Sequence, residues 1–184
     1  MKLSTLVGTI VLAGLLTGCG PNWKVVRASS PSALAGASDV ALSFDYSQMM
    51  VEGKPEADWV NLKTAEDAKY PETWADLKGK YEAAVLEGLR TQIPGAHLVS
   101  TGAGAVQMVV TPRKFKLGKF IPFVLPPTLM EGGIVFIVGG QPTDEISLTR
   151  SYPVSITQPS VFNHINPLGR EFGYAGGKLL TSKK

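Results

Sequence analysis

One cysteine, Cys19, and two histidines, His97 and His164, are the side chains best suited to nucleophilic, acid–base or metal chemistry near neutral pH. A single cysteine cannot form an internal disulfide. Neither histidine has a Cys, Asp or Glu at the spacing of zinc ligands, so we interpret both as surface-loop residues. The chemistry that the sequence supports is therefore that of the Cys19 thiol, a nucleophile able to form a thioether.

The residues before Cys19 have the pattern of a secretory signal. Lys2 is followed by an uncharged apolar run, Leu6 to Leu16, which is too short for the roughly 20 residues that span a bilayer. Leu16, Thr17, Gly18 and Cys19 then resemble the lipobox of bacterial lipoproteins, in which an aliphatic and two small residues precede the cysteine. The resemblance implies that signal peptidase recognises the first three and cleaves before Cys19.

The lipobox resemblance also implies covalent lipid on Cys19: a diacylglycerol on the sulfur and an acyl group on the new amino terminus. Three acyl chains anchor a protein stably, whereas one myristoyl chain would be marginal. Gly20, where the enterobacterial retention rule would require Asp, implies transfer to the outer membrane. We therefore expect a lipid-anchored envelope protein, most simply on the outer membrane and facing the periplasm.

Composition divides the chain into three parts: a signal peptide (1–18), a lipidated flexible tether (19–38) and one globular domain (39–184). The tether is rich in Ser, Ala, Gly and Pro, although Trp23 to Val26 could add an edge strand. Removal of 18 of the 184 residues leaves 166, enough for one domain with a real core. The formal net charge of +3 is too small to indicate nucleic acid as a partner.

Hydrophobic periodicity within the domain predicts an α+β fold. Val40 to Tyr46 alternates as a strand, a short helix is possible over Asp58 to Asp67, and a clear helix begins near Thr73, whose hydroxyl could cap it. Several strands follow, including an apolar run at Ile134 to Val138 that is typical of a strand covered on both faces. A second main helix opens at Asn166. We expect a mostly antiparallel sheet of about four to six strands with two main helices on one face.

This layout resembles a group of envelope lipoproteins whose domain is similar to the amino-terminal α/β domain of TolB and to the core of the curli secretion lipoprotein CsgG. The residues that carry the resemblance are Asp39 to Tyr46, Trp74 and Tyr81 of the first main helix, and Gly169 to Leu180. It implies action by binding other envelope components. Trp74 and Tyr81 could form a ligand platform, but their helical spacing favours core packing.

An apolar, proline-rich segment is the feature that best predicts a contact surface. Pro122, Pro126 and Pro127 exclude an ordinary strand or helix there. Such a loop either folds over the core or projects toward a protein partner or membrane surface. The predicted contact residues are Phe120, Ile121, Phe123, Val124, Leu125, Leu129 and Met130.

Sequence motifs favour a binding protein over an enzyme. Neither a Gly-x-Ser-x-Gly elbow nor a phosphate loop occurs, and we expect neither a metal nor a cofactor apart from the lipid on Cys19. The leading hypothesis is a non-catalytic binding or assembly accessory for another envelope component. The alternative is a carrier of a small apolar ligand or lipid held between helix and sheet.

Overall fold

The computed structural model describes residues 23–30, 32–99, 106–118, 126–155 and 160–182. Within these ranges the chain forms eight strands and three helices. In chain order they are β1 (Trp23–Arg27), β2 (Val40–Phe44), β3 (Met50–Val51), β4 (Lys54–Pro55), α1 (Glu56–Glu66), α2 (Tyr70–Arg90), β5 (His97–Leu98), β6 (Val106–Lys116), β7 (Thr128–Val138), β8 (Gln141–Tyr152) and α3 (Val161–Ser182). Helices pack on a sheet, so the predicted combination of helices and a sheet is confirmed.

The sheet is larger and more mixed than predicted. Its main path runs β1-β8-β7-β6-β2-β5, and the short strands β3 and β4 join beside β6. The pairs β6–β7, β7–β8 and β1–β8 are antiparallel, but β2–β6, β2–β5 and β3–β6 are parallel. Strand β6 runs parallel to β2 because α1 and α2, which lie between them in the sequence, carry the chain back to the end of the sheet where β2 begins.

The strand β7 shows which face of the sheet the helices cover. Ile134 and Phe136 are fully buried beneath α3, whereas Val135 and Ile137 on the opposite side are only partly buried. The predicted strand is therefore confirmed, but the prediction that both of its faces are covered is wrong. We call the side bearing Val135 the open face.

The first main helix has the apolar stripe that its sequence predicted. Trp74, Leu77 and Tyr81 are buried together against the sheet and α3. The helix begins at Tyr70, with Pro71 in its first turn, three residues before the predicted start. The predicted cap is wrong, because the Thr73 hydroxyl donates to the Lys69 carbonyl instead of accepting from a free amide.

The last helix begins at Val161 and is longer than the segment predicted from Asn166. Its glycines allow α2 and α3 to approach closely. A β carbon on Gly173 would overlap the backbone of Val85, and one on Gly169 would lie 2.8 Å from the Tyr81 carbonyl oxygen. These glycines therefore lower intrinsic helix propensity but are required by the helix contact.

Part of the predicted tether belongs to the sheet. Trp23–Arg27 pairs with β8 as an edge strand, and Leu34 is fully buried. Ser29 donates from its backbone amide and its hydroxyl to the two carboxylate oxygens of Asp144, at 3.2 and 2.8 Å. The prediction of a flexible tether through residue 38 is therefore wrong, because strand pairing and these hydrogen bonds order the chain from Trp23.

Candidate functional site

The predicted site residues have different outcomes. The residues Leu16, Thr17, Gly18 and Cys19 lie outside the described part of the chain. So do five members of the predicted contact segment, which are Phe120, Ile121, Phe123, Val124 and Leu125.

The last two predicted contact residues lie in a strand. Leu129 and Met130 belong to β7, where Leu129 pairs with Ser151 and Met130 pairs with Arg150. Met130 is 2% exposed and part of the core. Their assignment to a loop surface is wrong, because the strand alternation begins directly after Pro127.

A groove with aromatic walls lies where β6 ends. Its volume is about 450 Å³, and Leu117 and Gly118, which are separated from the apolar segment only by Lys119 in the sequence, form part of its wall. We call it the aromatic groove. Its aromatic side chains are Trp59, Tyr70, Trp74 and Phe162, and the others are Lys63, Glu66, Asp67, Thr73, Leu77 and Val161.

Hydrogen bonds between α1 and α2 fix the aromatic rings. The Trp59 indole N–H donates to the Tyr70 hydroxyl at 3.0 Å, and the Trp74 indole N–H donates to Glu56 Oε1 at 2.7 Å. The Tyr70 and Trp74 rings stack with their centroids 6.3 Å apart. Because the polar atoms of both indoles are already bonded, the groove presents preorganised apolar surface.

Charged side chains surround the groove without entering the aromatic stack. Lys63 Nζ lies 5.3 Å from the centre of the Trp59 ring and 2.6 Å from Glu66 Oε2. Lys78 forms an ion pair with Glu56 at 2.8 Å. The groove therefore has an apolar floor and a polar edge, the usual arrangement of a protein or small-molecule binding site.

Of the two aromatic residues considered as a ligand platform, only Trp74 reaches this groove. Tyr81 is 2% exposed and packs edge-on against Phe172, as the core interpretation predicted. Trp59 and Tyr70 were not predicted, because nothing in the sequence signals that α1 crosses the start of α2 there.

The structure also corrects the interpretation of His164. This side chain is fully buried in α3, with its Nδ1 2.7 Å from the Thr128 hydroxyl oxygen and its ring 5.1 Å from that of Tyr152. The Gly118 amide donates to the same Thr128 oxygen at 3.1 Å. His164 therefore helps to hold β7 against α3 and the end of β6, whereas His97 is near the surface beside Asp39.

A second groove, which we call the basic groove, lies on the open face and has a volume of about 530 Å³. Its polar lining includes Lys24, Arg113, Glu131, Ser147 and Thr149. Trp23, Gly132 and Leu148 complete its walls.

The described residues contain no cluster of three or more His, Cys, Asp or Glu side chains that could hold a metal ion. None of the helices in these ranges is long and apolar enough to cross a membrane.

Comparison with known proteins gives weak structural similarities only. No family model matches the chain, and no curated protein matches its sequence. Similar solved structures include two PelC dodecamers from Paraburkholderia phytofirmans. Each match covers 83% of this chain and 94% of the PelC chain. The sequence identities are 11% and 9%, and the TM-scores are 0.47 and 0.48, respectively. Another is a DUF330 protein from Xanthomonas campestris, at 11% identity over 80% of this chain and 89% of that chain, with a TM-score of 0.43. Similarity at this level does not establish a shared activity.

Proposed function

We propose that this chain is a lipid-anchored envelope protein that acts without catalysis, by binding another envelope component through the aromatic groove. The observation that carries the proposal is the position of the groove. Its wall includes Leu117 and Gly118, and the apolar segment Phe120 to Leu125 follows them almost directly in the sequence. The chain that forms this wall therefore continues, along the sequence, into the segment predicted to be a contact surface.

The chemistry of the groove suits a protein partner. Trp and Tyr are enriched among the few residues that supply most of the binding energy at protein interfaces, because each buries a large rigid surface at little cost in conformational entropy. The hydrogen bond between Trp59 and Tyr70 and the stacking of Tyr70 on Trp74 already hold the rings in place. An apolar side chain of the partner would occupy the floor, while Lys63 and Glu66 would make polar contacts at the edge.

Membrane attachment is tested separately through Cys19. Cells fed with a labelled fatty acid should incorporate label into the wild-type chain, which should sediment with membranes. Cys19→Ala should lose both properties. A wild-type chain without label would remove the anchor from the proposal and leave the groove to be tested by itself.

The groove is tested with a filling variant and a matched control. Thr73 is exposed at the rim, and Thr73→Trp would occupy the groove, whereas Ala83→Trp makes a similar change at an exposed position of the same helix outside it. We expect chemical crosslinking in living cells to give a discrete complex with wild type and Ala83→Trp and none with Thr73→Trp. Equal complex formation by both variants would exclude the groove as the contact.

A carrier of a small apolar ligand is the second candidate, and the size of the aromatic groove favours it. Its 450 Å³ lies within the usual range of about 300 to 1,000 Å³ for small-molecule sites. The cavity between α2 and the sheet that Trp74, Tyr81 and Phe115 help to line is only about 10 Å³, too small for such a ligand, so we expect a ligand to bind in the aromatic groove. Mass spectrometry of protein purified under native conditions distinguishes the candidates, since a carrier should retain a ligand that Thr73→Trp loses.

A further inference from the structure

The open face carries an excess of positive charge. Residues that pair across neighbouring antiparallel strands share a face, so Lys24, paired with Ser147, and Lys114, paired with Glu131, both lie there. On β1, β6, β7 and β8 the basic residues of this face are Lys24, Arg27, Arg113, Lys114 and Lys116, and the acidic residues are Glu131 and Glu145. On these four strands basic side chains therefore outnumber acidic ones by three.

Two guanidinium groups share a single carboxylate on this face. Arg113 Nη2 lies 3.3 Å from Glu145 Oε1, and Arg27 Nη2 lies 3.9 Å from Glu145 Oε2. Glu145 can neutralise only one of them. Lys24 has no acidic partner among the described residues, and Glu131, which also lines the basic groove, is paired with Lys114 at 2.9 Å, so the groove keeps a net positive charge.

The groove also offers neutral donors beside these cations. The hydroxyl groups of Ser147 and Thr149 lie in its lining with Lys24 and Arg113. A phosphate group matches this set, because a guanidinium can donate two hydrogen bonds to its oxygens while an ammonium and hydroxyls donate to the others.

The position of the groove relative to the anchor indicates the source of the phosphate. Cys19 lies four residues before Trp23, so even a fully extended chain places β1 within about 14 Å of the anchored residue. A basic surface held that close to a bilayer is complementary to anionic lipid headgroups.

We propose that the basic groove binds the phosphate of an anionic phospholipid headgroup in the membrane that holds Cys19, and so orients the domain with β1 and its open face toward the bilayer. This inference rests on the proposed lipid anchor. It deepens the proposed function, because a fixed orientation keeps the aromatic groove, on the helix side of the sheet, accessible to an envelope partner.

The test uses the acylated full chain in nanodiscs and amide hydrogen exchange as the readout. We expect β1 and β8 to exchange more slowly in discs containing phosphatidylglycerol than in discs of phosphatidylcholine alone. Lys24→Gln and Arg113→Gln should each abolish that difference. Lys178→Gln, the same change at an exposed position of α3, should preserve it. Lys24→Gln alters no ion pair among the described residues and therefore keeps the test valid if Arg113→Gln fails to fold.

Three results would overturn the inference: equal exchange in the two lipids, equal behaviour of the Lys24 and Lys178 variants, or the same protection from inorganic phosphate in phosphatidylcholine discs. The last result would identify a free-phosphate site instead of a lipid site. Mass spectrometry of the same samples reports acylation of Cys19. An acylated protein without lipid-dependent protection would contradict this inference alone, whereas an unacylated chain would contradict the anchor.

Discussion

Gly173 of α3 lies directly against the Val85 carbonyl of α2, so closely that any β carbon on Gly173 would overlap that oxygen. The same face of α3 carries Gly169 against Tyr81, and Gly88 of α2 meets the Arg170 backbone in the same way. The two helices therefore touch backbone to backbone. This contact holds together the layer that positions Trp74 and Phe162 in the aromatic groove.

The first prediction concerns this helix contact. Gly173→Ala should lower the free energy of unfolding by more than about 3 kcal/mol, because neither backbone can move without disturbing the core. Gly79→Ala provides the control, since nothing lies within 4 Å of the position that its β carbon would take. That change should raise the free energy of unfolding by about 0.5 to 1 kcal/mol through helix propensity. Urea denaturation measures both, and equal effects of the two variants would contradict the close contact.

The second prediction compares two tyrosines. The Tyr81 hydroxyl is buried and has no hydrogen-bond partner among the described residues, whereas the Tyr46 hydroxyl donates to Glu82 Oε1 at 3.0 Å. Tyr81→Phe should therefore leave the free energy of unfolding unchanged or raise it by about 1 kcal/mol, while Tyr46→Phe should lower it by about 1 to 2 kcal/mol. Thermal denaturation of both variants checks the order, and a larger loss for Tyr81→Phe would refute it.

The third prediction follows from the pKa values of the same residues. Burial raises the pKa of Tyr46, with a further contribution from the charge of Glu82, and burial alone raises the pKa of Tyr81. The folded protein thus retains these protons more tightly than the unfolded chain, whose tyrosines ionise near pH 10. The resulting stability is fully present below about pH 10 and is lost as the pH rises further.

An absorbance titration at alkaline pH measures this effect. The double variant Tyr46→Phe/Tyr81→Phe should show the same ionisation amplitude between about pH 9 and 11 as wild type, because neither residue ionises there in the folded state. Its free energy of unfolding should also fall less steeply with pH above about 10. A reduced amplitude would show that at least one of the two hydroxyls ionises normally.

The fourth prediction concerns the link between β1 and the rest of the domain. Asp144 is 1% exposed and accepts hydrogen bonds from the Ser29 hydroxyl and amide. Ser29→Ala removes the hydroxyl bond to a charged group and should lower the free energy of unfolding by about 1.5 kcal/mol. Hydrogen exchange should accelerate in β1 more than in β6. Ser47→Ala, at an exposed turn, is the control and should leave β1 unchanged.

The sequence predicted some elements well because local pattern and burial coincide in them. Trp74, Leu77 and Tyr81 recur at helical spacing and are buried together, and β2 lies where alternation indicated it. The pairing of β2 with β6 was not predictable, because parallel or antiparallel pairing depends on the path of the two helices between them. Strand β1 lies in a stretch rich in small residues, and its stability depends on pairing with β8 more than 110 residues later.

In the candidate site, too, features set by the local sequence were predictable and features set by distant contacts were not. The apolar character of Phe120 to Leu125 was visible in the sequence, and the prolines of this segment excluded an ordinary strand or helix there. The aromatic groove was not visible in the sequence, since Trp59 and Tyr70 come together only through the packing of α1 on α2. His164 was misassigned because its Asn- and Pro-rich neighbours suggested a loop, whereas they form the first turns of α3.

The most direct test of the central claim is photo-crosslinking in living cells from single positions of the full chain. A photoreactive benzoylphenylalanine replaces Thr73 at the rim of the aromatic groove, Phe123 in the apolar segment, or Ala83 as the control on the same helix as Thr73. We predict that the Thr73 and Phe123 positions capture one and the same envelope component and that Ala83 captures none. Identical products from all three positions, or none from Thr73 and Phe123, would contradict a partner site at the aromatic groove.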